Sequence, residues 1–339
     1  MRGLVLLGDA QATVKDFPDP QPGPGEVRVA IKSAGVCGSD IHMYHTPKER
    51  LGRLREVIIG HEPAGVVESV GEGVTQVKPG DRVSVYHYVG CGKCQQCLSG
   101  YRQWCRETKG LGGAWQGGDA EYLVVPEDNA LVLPDELSFT DGSLIACGAG
   151  TSYSALRKIR PAGDDWLAVF GLGPVGLTGV AIGKAFGARV MAIGRRKVRL
   201  DLAKHYGADV IVDIDTTDVV QAMRTVGHGG VDCAYETSGS GKAARWMLQG
   251  LRRGGRAALV APGGEDNVYR PGLISGKQLT LYGSFVMPIH MYPDLARLMV
   301  EYKIAFDDMV THRFSIEDGP EALRVMDSGE CGKVVLVWD

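Results

Sequence analysis

Trp166-Leu-Ala-Val-Phe170-Gly171-Leu-Gly173-Pro-Val-Gly176 decides the fold of the second half of this chain. Asp165 to Phe170 is a nearly continuous apolar run, the pattern of a parallel strand buried on both faces. It leads into a G-x-G-x-x-G turn, and Leu177 to Phe186 continues as a helix. Alone, that glycine spacing carries little. Between a strand and a helix it marks a dinucleotide turn, because backbone amides at the helix N-terminus can meet a pyrophosphate. Gly171, Gly173, Pro174, Val175 and Gly176 are therefore the candidate pyrophosphate-binding residues.

Strands and helices keep alternating beyond this turn. Arg189 to Ile193, Val210 to Val212, Val231 to Tyr235, Gly255 to Val260 and Leu279 to Tyr282 are strand-like. With the first run they make six, the count of a doubly wound Rossmann sheet in the order 3-2-1-4-5-6. Cys233 lies inside one of these strands and reads as a core thiol. The second strand ends at Gly194-Arg195-Arg196-Lys197. An acid at that point would bond the ribose 2′-hydroxyl of NAD and repel the 2′-phosphate of NADP. Here Gly194 leaves room, while the Arg195 and Arg196 guanidinium groups suit a phosphate. The charge pattern favours NADP(H) over NAD(H); the bland alternative is a solvated basic turn.

At 339 residues the chain exceeds a single hydrophobic core, so two domains are expected. The net charge of -3 speaks against a nucleic-acid or anionic-membrane surface. No apolar run approaches the ~20 residues that span a bilayer. Met1 to Asp9 is too soon interrupted for a secretory signal, so the eight cysteines fit a reducing cytoplasm and metal better than disulfides.

The first half is different. Glu26-Val-Arg-Val-Ala-Ile-Lys32 alternates with the period of a half-buried strand, and Val66 to Val70 and Val83 to Val85 are further short strands between glycine-rich turns. This predicts twisted, mostly antiparallel β structure. From it projects Cys91-Gly-Lys-Cys94-Gln-Gln-Cys97, closed by Cys105. Two-residue spacers let the sulfurs converge, and four thiolates at tetrahedral angles suit Zn²⁺ with no position left for water. The lobe over 91–105 is thus a structural zinc site, and the chemistry must lie elsewhere. Gly35-Val-Cys37-Gly-Ser39-Asp40-Ile-His42 and Gly60-His61-Glu62 place a thiol and imidazoles among glycines, which suits an accessible site better than a core.

These motifs, the cysteine lobe and the later glycine-rich turn stand in the order found in zinc-dependent medium-chain alcohol dehydrogenases, and the chain resembles that family over essentially its whole length. The resemblance implies a GroES-like, mostly-β catalytic domain at 1–150, completed by 288–339, and a Rossmann domain at 151–287. It implies that Cys37 and His61 are ligands of a catalytic zinc. Cys147, in a segment similar to the Cys-Ala-Gly of the alcohol dehydrogenase branch, is then the third ligand; the polyol branch usually carries Glu there. Three protein ligands leave one position for an alcohol oxygen, whose pKa the metal lowers. By the same resemblance Glu62 is a neighbouring group or occasional ligand, and Asp40 is either such a neighbour or a solvated charge. Ser39 and His42 form a proton relay through the nicotinamide ribose. Lys333, where Arg is more common, contacts the pyrophosphate. The segment Gly194 to Arg196 is similar to the Gly-Ser-Arg of NADP-dependent bacterial secondary alcohol dehydrogenases, with Arg195 in place of Ser. His45 and Cys331 match no family role.

The expected activity is hydride transfer between a small alcohol, or the corresponding carbonyl, and NADP(H), with two zinc ions per chain. The alternatives are an NAD-dependent polyol or amino-alcohol dehydrogenase and, in another class, a non-catalytic dinucleotide-binding protein. Family members are dimers or tetramers, which implies a homo-oligomer. Met43, Tyr44, Trp115, Phe285 and Met287 either line an apolar substrate pocket or belong to the core.

Overall fold

The computed structural model describes residues 1–263 and 270–338. The chain divides into one unit of Met1–Cys147 with Pro288–Asp339 and another of Gly148–Met287.

The first unit begins with β1 (Arg2–Gly8) and β2 (Gln11–Asp16), paired antiparallel. There follow β3 (Glu26–Gly35), α1 (Gly38–Tyr44), β4 (Pro63–Val70), β5 (Arg82–Val85), β6 (Tyr88–Val89), α2 (Gln95–Leu98), β7 (Lys109–Gly110), β8 (Tyr122–Pro126), β9 (Ala130–Val132) and α3 (Phe139–Leu144). β3 is the hub. Its alternating apolar residues put Val27, Val29 and Ile31 into the core, at 2% exposure or less. Both its edges carry antiparallel partners, β4 and β8 among them.

The second unit is a sheet of β10 (Trp166–Phe170), β11 (Arg189–Gly194), β12 (Val210–Asp213), β13 (Val231–Glu236), β14 (Leu251–Leu259) and β15 (Thr280–Gly283). Between them run α5 (Pro174–Ala185), α6 (Lys197–His205), α7 (Val219–Val226), α8 (Gly241–Gly250) and α9 (Pro271–Lys277), after an opening α4 (Gly150–Ile159). The strands lie in the order β12-β11-β10-β13-β14-β15, all parallel. In chain order that is 3-2-1-4-5-6, the doubly wound dinucleotide sheet. Leu167 to Phe170 of central β10 are at most 1% exposed, which accounts for the unbroken apolar run.

The tail returns to the first unit as α10 (Tyr292–Glu301), β16 (Val310–Phe314), α11 (Gly319–Ser328) and β17 (Lys333–Val337). β17 pairs antiparallel with the end of β3, Val335 opposite Gly35 and Leu336 opposite Ala34. That register sets Lys333 beside the segment that leads to Cys37. Among the described residues no helix is long and apolar enough to cross a membrane.

Candidate active site

Four side chains from distant parts of the first unit meet at one point. The ligand atoms of Cys37, His61, Glu62 and Cys147 all lie within 4.8 Å of one another. Cys37 stands between β3 and α1, His61 and Glu62 immediately precede β4, and Cys147 lies in a π-helical turn over Ile145–Ala149. A π turn inserts one extra residue and re-aims its side chains, a device common at functional sites.

Asp40 fixes the arrangement. Fully buried, it accepts from the Cys37 backbone amide at 2.8 Å through Oδ2 and from His61 Nδ1 at 3.0 Å through Oδ1. With Nδ1 held, Nε2 of His61 faces Cys147 Sγ at 3.5 Å and Ser39 Oγ at 3.4 Å. Cys37 Sγ and Cys147 Sγ are 4.0 Å apart. Burial alone would push the His61 imidazole down, but Asp40 and then Cys37 hold it well above its ordinary value. The sulfur contact from Cys147 holds the Cys37 thiol well below its usual range. Two thiols, an imidazole and a carboxylate so placed form an anionic pocket whose donors fit zinc, and the carboxylate on the imidazole fixes its tautomer.

Lys333 departs from the expectation. It is fully buried, and its ammonium donates to Glu62 Oε2 at 2.5 Å and to the Val36 carbonyl at 2.8 Å. The lysine that should face a pyrophosphate is thus the counter-ion of Glu62, because β17 lies against β3. Burial raises the Glu62 carboxyl to about 7, even against the pull of Lys333. His42 is exposed on α1, and among the described residues no hydrogen bond joins it to Ser39. His45 bonds Asp327 at 2.9 Å.

Two further polar residues were not singled out by the sequence. His87, 4% exposed, has its ring 5.5 Å from that of His61, and burial lowers it to about 3. Asp119, 1% exposed, packs against Gly60 with both carboxylate oxygens unpartnered among the described residues. Neither belongs to a short motif; a His-Tyr pair before the cysteine lobe was the only local signal.

The sulfurs of Cys91, Cys94, Cys97 and Cys105 form a second cluster within 4.8 Å. Backbone amides of Cys91 and Glu107 point at Cys105 Sγ, both at 3.4 Å. Gly90 is required here, since a Cβ would lie 2.6 Å from Cys97 Sγ. Among the described residues no carboxylate or imidazole joins this set, so its donors fit a closed tetrathiolate site. All eight cysteines are free of disulfides.

In the second unit, Gly171 has φ +86°, and a Cβ there would lie 2.8 Å from the Ser238 amide nitrogen. A Cβ on Gly176 would collide with the Gly171 carbonyl, whereas one on Gly173 meets nothing within 4 Å. The turn is therefore tight at its ends and open in its middle, at the N-terminus of α5, as a pyrophosphate requires. Thr237 Oγ1 braces it by donating to the carbonyls of Phe170 at 2.9 Å and Gly171 at 3.0 Å. Gly194 has a packing reason as well, since a Cβ would lie 2.8 Å from the Leu172 side chain. Arg195 and Arg196 are exposed just beyond β11.

Of the proposed pocket residues, Met43, Tyr44 and Trp115 pack into the core of the first unit. Trp115 borders a cavity of about 410 Å³ with Met1, Pro20, Val57 and Tyr122, which no residue of the Cys37 cluster lines. In the second unit Met287 is fully buried and Phe285 is 55% exposed.

Comparison with known proteins agrees with this fold. Residues 23–135 match the alcohol dehydrogenase GroES-like domain, and residues 174–301 match the zinc-binding dehydrogenase family. The uncharacterized zinc-type alcohol dehydrogenase-like protein YphC of Escherichia coli K12 is 34% identical, over 99% of this chain and 98% of that protein. L-threonine 3-dehydrogenase of Anaeromyxobacter sp. Fw109-5 is also 34% identical, over 100% and 99%. Among solved structures, a short chain alcohol dehydrogenase from E. coli CFT073 complexed with NADH superimposes with a TM-score of 0.89 at 27% identity, covering 100% of this chain and 99% of that one. A mostly-β unit carrying the thiol–imidazole cluster and a doubly wound unit carrying the glycine turn thus place this chain in the zinc-dependent medium-chain dehydrogenase/reductase family, as a zinc-type alcohol dehydrogenase-like oxidoreductase.

Proposed function

We propose that this chain is an alcohol dehydrogenase or carbonyl reductase that uses NADP(H), with Cys37, His61 and Cys147 holding a catalytic zinc and Cys91, Cys94, Cys97 and Cys105 a structural one. The observation that carries the reading is the convergence of the first three ligand atoms with His61 Nδ1 locked on Asp40. When bound, zinc supplies Lewis acidity toward the alcohol oxygen and the nicotinamide accepts the hydride.

The residues divide the remaining work. Cys37 and Cys147 offset the metal charge, and Asp40 orients His61. Ser39 Oγ, next to His61 Nε2, is placed to accept the alcohol proton and hand it on. His42, exposed on the same short helix, passes it to solvent. Glu62, tied to Lys333, tunes the charge of the pocket. Gly171, Gly173, Pro174, Val175 and Gly176 cradle the pyrophosphate, while Arg195 and Arg196 beyond Gly194 bind the 2′-phosphate. The protein works as a homodimer or homotetramer on a small-molecule substrate.

Steady-state kinetics on an alcohol panel with both cofactors tests the reading. It requires a higher kcat/KM with NADP⁺ than with NAD⁺, reversed by Arg195→Asp; a native preference for NAD⁺ defeats the cofactor assignment. Cys37→Ser should abolish turnover and leave dinucleotide binding intact. A second reading, an NAD-dependent amino-alcohol dehydrogenase, has the relatives named L-threonine 3-dehydrogenase behind it. L-Threonine-dependent reduction of NAD⁺ exceeding every simple alcohol would select it.

A further inference from the structure

Three buried hydroxyls meet inside the second unit and have no part in the function described. Ser152 stands in the first turn of α4, Thr178 in α5 and Tyr235 in β13. Tyr235 packs its ring on α5, where a Cβ on Gly179 would lie 2.5 Å from it, and its hydroxyl reaches Ser152 Oγ at 2.9 Å. Ser152 Oγ lies 2.6 Å from the Val175 carbonyl oxygen. Thr178 Oγ1 is 2.8 Å from that same oxygen and 2.8 Å from Ser152 Oγ. Longer contacts of 3.2 Å run from both hydroxyls to the Gly148 carbonyl. A hydroxyl has one proton to give. The shortest contact assigns that of Ser152 to Val175, so Ser152 Oγ accepts from Tyr235. Alanine, valine and phenylalanine would fill these places without burying a polar atom.

The carbonyl they hold belongs to the glycine turn. Pro174 has no N–H, and the ladder of α5 begins with the Leu177 amide on the Gly173 carbonyl at 2.9 Å. The amides of Val175 and Gly176 therefore stand ahead of the ladder, at the positive end of the helix. The Val175 carbonyl and the Gly176 amide are the two poles of one planar peptide and point in opposite directions. Donors on the carbonyl fix the direction of that amide and polarise its proton, since hydrogen bonds in a chain strengthen one another. We propose that Ser152 is a positioning residue for the dinucleotide: backed by Tyr235 and flanked by Thr178, it holds the Val175–Gly176 peptide so that the Gly176 amide is aimed at the pyrophosphate. This rests on the reading of Gly171 to Gly176 as the pyrophosphate turn.

Calorimetric titration of the zinc-loaded full chain with ADP-ribose and with adenosine tests this in the wild type, Ser152→Ala, Tyr235→Phe and Gly173→Ala. ADP-ribose carries the pyrophosphate and adenosine does not. Neither has a nicotinamide or a 2′-phosphate, so hydride transfer and the choice of cofactor do not enter. Ser152→Ala should raise the Kd of ADP-ribose roughly three- to tenfold, the worth of one hydrogen bond, and that of adenosine by less than about twofold. Tyr235→Phe should act in the same direction by about two- to threefold, because it removes only the bond behind Ser152. A merely structural hydroxyl would lower the melting temperature and leave the ratio of the two Kd values as in the wild type. That result, or an unchanged ADP-ribose Kd in Ser152→Ala while Gly173→Ala weakens it, would overturn the proposal and leave the turn assignment intact. A wild type that binds adenosine as tightly as ADP-ribose would overturn both. Should Ser152→Ala fail to fold, the ratio in Tyr235→Phe decides alone: raised, it supports the proposal, and unchanged, it ends it.

Discussion

Replacing Lys333 by Met removes the ammonium that is hydrogen-bonded to a carboxylate itself 1% exposed. Breaking a buried ion pair from one side costs about 3–5 kcal/mol, because the remaining charge is left without solvent or counter-ion. The unit concerned has about 200 residues, for which each kcal/mol moves the melting temperature about 2–4 °C, so metal-free Lys333→Met should melt about 6–20 °C lower once Glu62 is ionised. The loss has a pH signature. Burial already raises the Glu62 carboxyl to about 7 with the lysine present, and without it the value moves higher. For an acid raised in the folded state, the stabilising contribution is complete below its unfolded pKa and is lost as pH rises through the folded one. In the variant that loss extends further up the scale. Wild type and Lys333→Met should therefore lie close at pH 5.5 and diverge above about pH 7 by roughly 1.4 kcal/mol per pH unit, so that the full loss is reached only well above pH 8. Calorimetry on the two single variants and on Glu62→Gln/Lys333→Met reads the coupling. The double variant should recover most of the loss, with an interaction energy of about 2–3 kcal/mol. Additive losses within about 0.5 kcal/mol, or a single variant that melts with the wild type at pH 8, would refute the pairing.

Cys97→Ser should lower zinc content by one equivalent and the melting temperature with it, while kcat/KM per folded molecule is retained; a variant with unchanged stability contradicts the structural assignment. Asp119→Asn should stabilise the protein increasingly with pH, since burial holds the Asp119 carboxyl well above its ordinary value and ionising it weakens the fold. The gain over wild type should grow by up to roughly 1.4 kcal/mol per pH unit above the ordinary carboxylate range, and urea unfolding with equal pH slopes for both proteins would count against it. Gly173→Ala should leave the melting temperature unchanged and weaken dinucleotide binding, because its Cβ enters empty space. Gly176→Ala should unfold the second unit's turn, because its Cβ strikes the Gly171 carbonyl. Identical behaviour of the two glycine variants in calorimetry and cofactor titration would contradict that reading of the turn.

What the sequence showed was what is local. The glycine turn is legible because its strand, its turn and its helix are consecutive, and the tetrathiol lobe because four sulfurs fall between residues 91 and 105. Cys37, His61 and Cys147 carry no such signature, and only the family resemblance points to their convergence. Lys333 was misplaced for a physical reason. Its partner Glu62 is 271 positions away, and only the pairing of β17 with β3 sets the two together. Gly194 likewise had two causes, of which the sequence revealed one. Absence of a side chain leaves room for a phosphate, but the contact with Leu172 is a packing demand that holds whichever cofactor binds. His87 and Asp119 look like ordinary loop polar residues until burial is known, because a missing hydrogen bond has no sequence pattern.

Donor counting alone does not separate the two clusters of the first unit, since each offers four ligand atoms within 4.8 Å. The distinction lies in what else holds the donors. In the lobe, the fourth donor, Cys105, is oriented by backbone amides that point at its sulfur. In the other cluster the fourth donor is Glu62, and its Oε2 is already bonded to the Lys333 ammonium. A carboxylate so paired is a weaker ligand than a thiolate flanked by amides, so on the proposed reading the first set would close around a metal and the second would keep a position for an incoming oxygen. The openness of the proposed catalytic site is then a property of a lysine in the last strand of the chain. Lys333→Met should convert that site toward four protein donors: metal held more tightly against a chelator, and turnover lost. Metal released faster from this variant than from the wild type would show that the lysine supports the site without keeping it open.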